Sequence, residues 1–318
     1  MAASETTFMQ WAINTTDGTL PATQLIDNVS GSLGVEQRVT DSQGQNASLT
    51  GRTNRMRVTG LKLEPTFRME PTAAEFLHLF PWLLGGSNSG TTPKVYTPGT
   101  DLPLRGIQGV EDRDGSAYPH NWTNLAVDSF VLRSQQGGLV GLEINAVANG
   151  GTYENSTAFP SLSNFDNTTD PFAFPDLTGD GATGSDGAFT IGGTTRQAFS
   201  ISVGVNYGLD RGRTPHTLSA TGLRKRTRDI SISLDMPAAE AQAIYASDLR
   251  DLTPRAVVMR WRNPVESVEF LEVTVPSVIF PLPDVPLPAR GEIRHTVNGM
   301  ARFDGTNAPI LFKVQVRT

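Results

Sequence analysis

The stretch Asp229-Ile-Ser-Ile-Ser-Leu-Asp-Met236, followed directly by Pro237-Ala-Ala-Glu240, decides the fold of this chain. Its four apolar side chains alternate with polar ones, so they share one face of an extended segment. Such alternation predicts a half-buried antiparallel strand. The proline then opens an Ala-rich, helix-favouring segment, which predicts a helix over Pro237–Leu249.

The same alternation recurs through most of the chain, and a second helix is predicted over Pro71–Leu84, ending at Gly85-Gly86. Turn residues such as Gly137-Gly138 separate the extended stretches. We therefore predict a mainly β fold of sandwich- or barrel-like sheets, each with one flanking helix. The further predicted strands are Val127–Leu132, Leu139–Ala146, Phe199–Val205, Ala256–Trp261, Phe270–Val275 and Ile310–Val316.

Short motifs recur in the same order in the two halves of the chain. Ala73-Ala74-Glu75 in the first helix matches Ala238-Ala239-Glu240 in the second, 165 residues later, and Gly34-Val35 matches Gly204-Val205, 170 residues later. Landmarks that repeat in one order, at offsets differing by insertions, indicate an internal duplication. The predicted organisation is a first domain over 1–152, a connecting arm over 153–197 and a similar second domain over 198–318.

The connecting arm differs in composition from the rest of the chain. It is rich in Asn, Asp, Ser, Thr, Gly and Pro and carries five Phe. A loop of this length is functional or flexible, and a plain linker would not need the aromatic residues. We interpret it as an arm that packs on a partner such as another subunit. Its candidate interface residues are Asp176, Asp180, Asp186, Phe172 and Phe174.

The net charge of −6 is unevenly spread, with −5 over 1–165, −4 over 166–197 and +3 over 198–318. An acidic total argues against a protein that wraps nucleic acid, because that function needs many cationic contacts to phosphate. Of the basic residues 22 are Arg, a residue suited to fixed pairing at interfaces. Alternating Arg224, Arg226 and Arg228 would share one face of a strand. We interpret them as an assembly surface that meets an acidic neighbour.

The sequence offers little support for catalysis, a metal or a cofactor. It has no Cys, which excludes disulfides, thiolate metal sites and cysteine nucleophiles, and only four His, with none at zinc spacing. His78 lies within the apolar helix and is expected to be structural, whereas His120 follows Tyr118-Pro119 and is expected in a turn. Residues 176–187 match a calcium loop only in part, because Gly187 stands where a bidentate Glu belongs. We predict a protein without enzymatic activity, cofactor or metal.

The chain as a whole resembles the major tail proteins, or tail tube proteins, of long-tailed bacteriophages. The resemblance is carried by the two strand–helix units, Leu61–Leu84 and Ile230–Leu249, by Leu139–Ala146 and by the C-terminal run Phe270–Val316. It implies a structural virion protein that polymerises into stacked rings, which form the conduit for DNA ejection. The length and duplication resemble members whose trimeric rings contain six domains.

The resemblance also implies partners and a location. The partners would be other copies of the chain and other tail proteins, with DNA present only in transit. The location would be the virion tail, after assembly in the host cytoplasm. No apolar run approaches the roughly 18 residues of a membrane span, so no membrane insertion is expected.

Two other functions are compatible with the sequence. One is a carbohydrate-binding or adhesin-like β-sandwich, such as a tail-tip protein, which exposed clusters of Trp and Tyr would favour. The other is a β-rich hydrolase, which would need convergent acid–base residues with shifted pKa values.

Overall fold

The computed structural model describes residues 8–22, 24–26, 29–32, 34–41, 56–86, 88–113, 116–160, 189–210, 223–224, 227–248, 252–262, 269–281, 294–303 and 305–316. Antiparallel strands dominate these ranges, and the helices are short. The predicted mainly β class is confirmed.

The first set of elements, which we call the first repeat, runs from residue 8 to residue 154. Its helix follows the sixth strand. The elements are β1 (Phe8–Ile13), β2 (Gln24–Ile26), β3 (Ser30–Ser32), β4 (Val35–Asp41), β5 (Met56–Leu63), β6 (Thr66–Met69), α1 (Ala73–Leu84), β7 (Asn88–Ser89), β8 (Lys94–Tyr96), β9 (Arg105–Arg113), β10 (Ser116–Gln135), β11 (Gly141–Ala148) and β12 (Tyr153–Glu154).

The second set, which we call the second repeat, runs from residue 189 to residue 315. Here too one helix follows directly on an alternating strand. The elements are β13 (Phe189–Ile191), β14 (Thr194–Thr195), β15 (Ser200–Asn206), β16 (Asp229–Pro237), α2 (Ala238–Asp248), β17 (Arg255–Arg262), β18 (Phe270–Ile279), β19 (Arg294–Ala301) and β20 (Leu311–Gln315).

Local sequence explains where α1 begins and ends. The Thr72 hydroxyl accepts a hydrogen bond from the Glu75 backbone N–H, and the Glu75 carboxylate accepts one from the Thr72 N–H at 2.8 Å. This capping box starts the helix at Ala73, two residues after the predicted start at Pro71. Gly85 ends it with a left-handed φ of 61°. In the second repeat the final residue of β16 is Pro237, so α2 begins one residue later than predicted.

The two repeats have the same strand order. Reading across neighbouring strands, the first repeat follows β2–β1–β9–β10–β11–β6–β3, and the second follows β14–β13–β17–β18–β19–β16–β15. A final strand then returns to the longest one, as β12 on β10 and β20 on β18. All of these pairs are antiparallel, and the helices follow equivalent strands, β6 and β16, although β7 and β8 intervene between α1 and β9. The two repeats therefore share a strand order, and the predicted division into duplicated domains stays a prediction.

The pairing register gives the offset between β3 and β15. Met69 and Met236 are buried at equivalent places near the ends of β6 and β16. With these aligned, Ser30 stands opposite Arg68 in the first repeat, and Ser200 stands opposite Asp235 in the second. The resulting offset of 170 equals that between Gly34-Val35 and Gly204-Val205, but Val35 begins β4 whereas Gly204-Val205 lies within β15, so this short match joins strands with different partners.

The strands of each repeat enclose apolar side chains. In the first repeat, β10 changes partners along its length, pairing with β9 up to Leu125 and with β15 from Ser129. Trp11, Phe67 and Trp122 meet in the core, with Trp11 and Trp122 stacked at 5.5 Å between ring centroids. Large aromatic side chains buried in this way contribute strongly to the stability of a core.

The predicted arm over 153–197 is shorter in the structure, because both of its ends belong to the repeats. Tyr153 begins β12, and β13 and β14 precede residue 197. Phe189, which was assigned to the arm, is fully buried in β13. These strands have only two or three residues each and lie among turn residues, so the sequence pattern did not predict them. Residues 161–188 lie outside the described part.

One hydrophobic cluster runs through both repeats. Phe312 of β20 lies 4.8 Å from Phe80 of α1 and 6.1 Å from Phe130 of β10, measured between ring centroids. The indole N–H of Trp261 donates to the Ser134 hydroxyl at 2.8 Å. The separate folding of domains 1–152 and 198–318 stays a prediction.

Candidate assembly interface

The two repeats are joined edge to edge by their main chains. Ser129–Gln135 of β10 pairs in continuous register with Ser200–Asn206 of β15. One sheet therefore passes from the first repeat into the second in the order β3–β6–β11–β10–β15–β16–β19. We call the β10–β15 junction the internal seam.

Side chains reinforce the internal seam from the core side. Tyr207, just beyond β15, donates a hydrogen bond from its hydroxyl to the Leu83 carbonyl in the last turn of α1. Burial raises the pKa of Tyr207, so the phenol stays protonated. A shorter pair, β8 with β20, joins the repeats at a second place.

The predicted basic surface is only partly visible. Arg224 is exposed and pairs through its backbone with Asp210. Arg228 is half-buried, donates to the Gly99 carbonyl at 2.6 Å and lies over the Tyr207 ring at 5.4 Å. Arg228 thus connects the second repeat to the loop after β8, whereas Arg226 lies outside the described residues.

The predicted acidic and aromatic interface residues of the arm all fall outside the described part of the chain. Whether they approach Arg224 and Arg228 is therefore not tested, and their role in assembly stays a prediction. These residues are Asp176, Asp180, Asp186, Phe172 and Phe174.

The continuous sheet has one buried face and one polar face. We define the polar face, here called the serine face, by the outward residues of the seven strands. Ser202 lies between Arg133 and Ser233 on adjacent strands, and Gly204 lies between Val131 and Ser231. Its members are Ser30, Ser32, Thr66, Arg68, Gly141, Glu143, Asn145, Ser129, Val131, Arg133, Gln135, Ser200, Ser202, Gly204, Asn206, Asp229, Ser231, Ser233, Asp235, Pro237, Arg294, Thr296, Asn298 and Met300.

Each Arg on the serine face lies near a carboxylate. Arg68 is 3.2 Å from Glu143, which is also 4.0 Å from Arg133 on its other side. Arg294 is 3.9 Å from Asp235 and stacks over a phenyl ring, that of Phe199. With three Arg and three carboxylates, the face carries no net charge.

The alternation in β16 predicted its polar side, but local sequence patterns did not indicate which strands lie beside β16.

A separate acid–base cluster lies on β9, β10 and β12. His120 Nδ1 is 2.8 Å from the Tyr153 hydroxyl, and His120 Nε2 is 3.5 Å from Glu111. The expected turn at His120 is wrong, because Pro119 pairs opposite Val110 within a hairpin. At Pro119 only β9 is a described neighbour, because the pairing of β12 with β10 is at Asn121 and Trp122, and edge positions tolerate proline.

The surroundings of Tyr153 do not activate its phenol as a nucleophile. Burial raises the pKa of Tyr153, which is opposite to the change that would activate a phenol as a nucleophile. His78 lies on α1, where burial and then Lys94 lower its pKa and favour the neutral ring. Within the described ranges, no group of three His, Asp or Glu side chains could hold a metal ion. The calcium-like loop 176–187 lies outside those ranges.

Among the described residues, the aromatic side chains do not form an exposed platform for sugar stacking. All four Trp are buried in the core, namely Trp11, Trp82, Trp122 and Trp261. Tyr118 is half exposed. Of the other large apolar side chains that are exposed among the described residues, only Phe303 is aromatic.

A scan against models of known protein families found no match, and no curated protein matches the chain. Neither helix of the described part is long and apolar enough to cross a membrane.

Proposed function

We propose that this chain is a tail tube protein, a structural virion component whose copies polymerise into stacked rings around a conduit for DNA. The observation that carries the proposal is the internal seam. Two repeats with the same strand order are joined by main-chain pairs, so they occupy consecutive positions in one sheet. A ring built of such repeats extends this arrangement from one chain to the next.

The open edge of β3 supports growth by addition of further copies. In the second repeat, β15 has β16 on one side and β10 on the other. In the first repeat, the equivalent strand β3 pairs only with β6 among the described strands, and its residues are exposed. Exposed strand edges favour pairing with another chain. The second repeat of another copy is the partner we propose for this edge.

This arrangement gives a heterologous contact that closes by rotation. Three chains supply six repeats, with first and second repeats alternating around the ring. The charges of −5 over 1–165 and +3 over 198–318 favour contacts between unlike repeats. Exposed ion pairs contribute only about 0–1 kcal/mol each, so main-chain pairing and apolar burial must supply most of the stability.

Electron microscopy of the purified protein tests the proposal directly. Rings or tubes with a central hole are expected, with three chains per ring by native mass spectrometry. A protein that stays monomeric at all concentrations, or forms assemblies without a hole, would contradict the proposed function. Six chains per ring would contradict the alternation of repeats.

The exposed Arg224 provides a variant for the same assay. Arg224→Glu is expected to weaken assembly while leaving the monomer folded, because its side chain is exposed. Arg228→Glu is the contrasting variant, since it removes the Gly99 and Tyr207 contacts and lowers monomer stability. Unchanged assembly of Arg224→Glu would remove this residue from the interface.

A further inference from the structure

We infer that the serine face lines the inside of the tube and is the surface past which duplex DNA moves. The inference rests on the proposed function and identifies the side of the sheet that meets DNA. It concerns Ser129, Ser202, Ser231 and Ser233 at its centre, together with the residues around them.

The composition of the face is that of a surface that stays in contact with water. An interface between subunits buries a core of apolar side chains. Of the side chains on the serine face, only Val131 and Met300 are large and apolar, and Ser, Thr, Asn, Gln and Gly fill most other positions. This face is therefore poorly suited to packing against another subunit and well suited to a water-filled channel.

The position of the face in the fold points to the inner wall. The seven-strand sheet is the longest structure that crosses between the repeats through main-chain pairs, so it can continue around a ring. The opposite face of the same sheet is covered by the core, and α2 packs on β16 and β19. Among the described residues, additional layers therefore lie on one side of the sheet only, and the serine face is the side that they leave uncovered.

The electrostatics of the face suit passage of DNA without retention. Proteins hold duplex DNA mainly through Lys and Arg contacts to phosphate. On the described part of this face the charges balance, and the guanidinium groups of Arg68, Arg133 and Arg294 lie within 4.0 Å of carboxylates. Phosphates would meet short hydroxyl groups and neutralised cations, so no position offers strong attachment.

Cysteine labelling tests which side of the sheet faces the lumen. The chain contains no Cys, so one introduced thiol is the only reactive one. Ser231→Cys places it on the serine face and Gln242→Cys on the exposed side of α2; both sites are exposed in the single chain. In intact tubes, a small maleimide is expected to label both variants. A maleimide attached to a large globular protein is expected to label Gln242→Cys at least tenfold faster.

The outcomes separate this inference from the proposed function. Equal labelling of both variants by the large reagent in intact tubes would overturn the lumen assignment while leaving the tube itself established. Absence of tubes would instead contradict the proposed function. In the monomer, the large reagent is expected to label both variants at similar rates, which controls for local accessibility.

A charge variant tests the passage of DNA by a second measurement. Ser231→Arg adds an unpaired cation to the face in every chain, and Ala243→Arg adds the same charge on α2 as the matched control. Tubes of Ser231→Arg are expected to retain about tenfold more short duplex DNA on sedimentation at low salt, with loss at high salt. Equal retention by Ala243→Arg tubes, or strong retention by unmodified tubes, would overturn the inference.

Discussion

The helices α1 and α2 occupy equivalent places in the two repeats, yet their surroundings differ. The helix α1 follows β6, and α2 follows the equivalent strand β16. Both helices begin with Ala-Ala-Glu. Most of α1 is buried, including Phe76, Phe80 and Trp82. In α2, among residues 238–245, only Ala241, Ile244 and Tyr245 are buried. The same topology therefore supports a core helix in one repeat and a surface helix in the other.

The difference arises because the second repeat covers α1. Phe312 and Tyr207, both from the second repeat, contact α1. In contrast, α2 packs on β16 and β19 of its own repeat. Even the shared Glu acts differently, since Glu75 caps its own helix, whereas Glu240 pairs with Arg196 at 2.9 Å. A duplicated fold can thus keep its strand order while its helices diverge with the interface.

The largest expected effect comes from removing a ring at the α1 contact between repeats. Phe80→Ala leaves a cavity beside Phe312 and is expected to lower the free energy of unfolding by about 3–5 kcal/mol. Ile244→Ala on α2 is expected to cost about 2 kcal/mol, at the lower end of such truncations. Urea denaturation of the two variants measures both values. An equal or larger loss for Ile244→Ala would contradict the assignment of α1 as the core helix.

A smaller effect is expected from the hydrogen bond that joins β15 to α1. Tyr207→Phe removes the hydroxyl and leaves the buried Leu83 carbonyl without this donor, which costs about 1–3 kcal/mol. The same urea denaturation measures the change. If the variant were as stable as the unmodified chain, the contact between Tyr207 and α1 would not stabilise the joined repeats.

The local sequence predicted where strands and helices form better than it predicted which strands pair with each other. The alternation over Asp229–Met236 predicted β16, and the Ala-Ala-Glu match placed α1 and α2 at equivalent positions. The internal seam could not be predicted, because Ser129–Gln135 and Ser200–Asn206 are distant in sequence and neither pattern specifies its partner. The serine face depends on the internal seam, so its extent could not be predicted from the sequence either.

Capping illustrates another limit of the sequence patterns. Pro71 and Pro237 were each placed at the first turn of a helix, but Thr72 caps α1 and Pro237 ends β16. Which residue caps a helix depends on where the chain leaves the sheet, and this is set by strand pairing rather than by composition.

The next effect concerns that cap. Thr72→Ala removes the hydroxyl that accepts the Glu75 N–H and is expected to cost about 1 kcal/mol. Arg196→Ala, which removes the ion pair with Glu240 in the first turn of α2, is expected to cost at most about 1 kcal/mol because both side chains retain contact with water. Thermal denaturation of both variants gives the comparison. A larger loss for Arg196→Ala would mean that α2 depends on its ion pair more than α1 depends on its cap.

The smallest effect at neutral pH is expected at Tyr245 of α2, the counterpart to Tyr207 in this comparison. The Tyr245 hydroxyl is buried and has no hydrogen-bond partner among the described residues. Tyr245→Phe therefore removes no bond and is expected to change stability by less than about 0.5 kcal/mol near pH 7. A loss comparable to that of Tyr207→Phe would show that the hydroxyl has a stabilising partner.

Raising the pH is expected to make the stabilities of Tyr245→Phe and the unmodified chain differ, because burial raises the pKa of Tyr245 from its ordinary value of 10.0 to about 12. Between these values the phenol ionises in the unfolded chain but stays protonated in the folded one, so the folded state loses relative stability as the pH rises. Tyr245→Phe lacks this loss, whereas Tyr207 and the other ionisable groups contribute equally to both proteins. At pH 11 the variant is therefore expected to be more stable than the unmodified chain by about 1 kcal/mol. Urea denaturation at pH 7 and pH 11 measures the difference, and a stability gap that does not change with pH would mean that the Tyr245 hydroxyl is solvated in the folded protein.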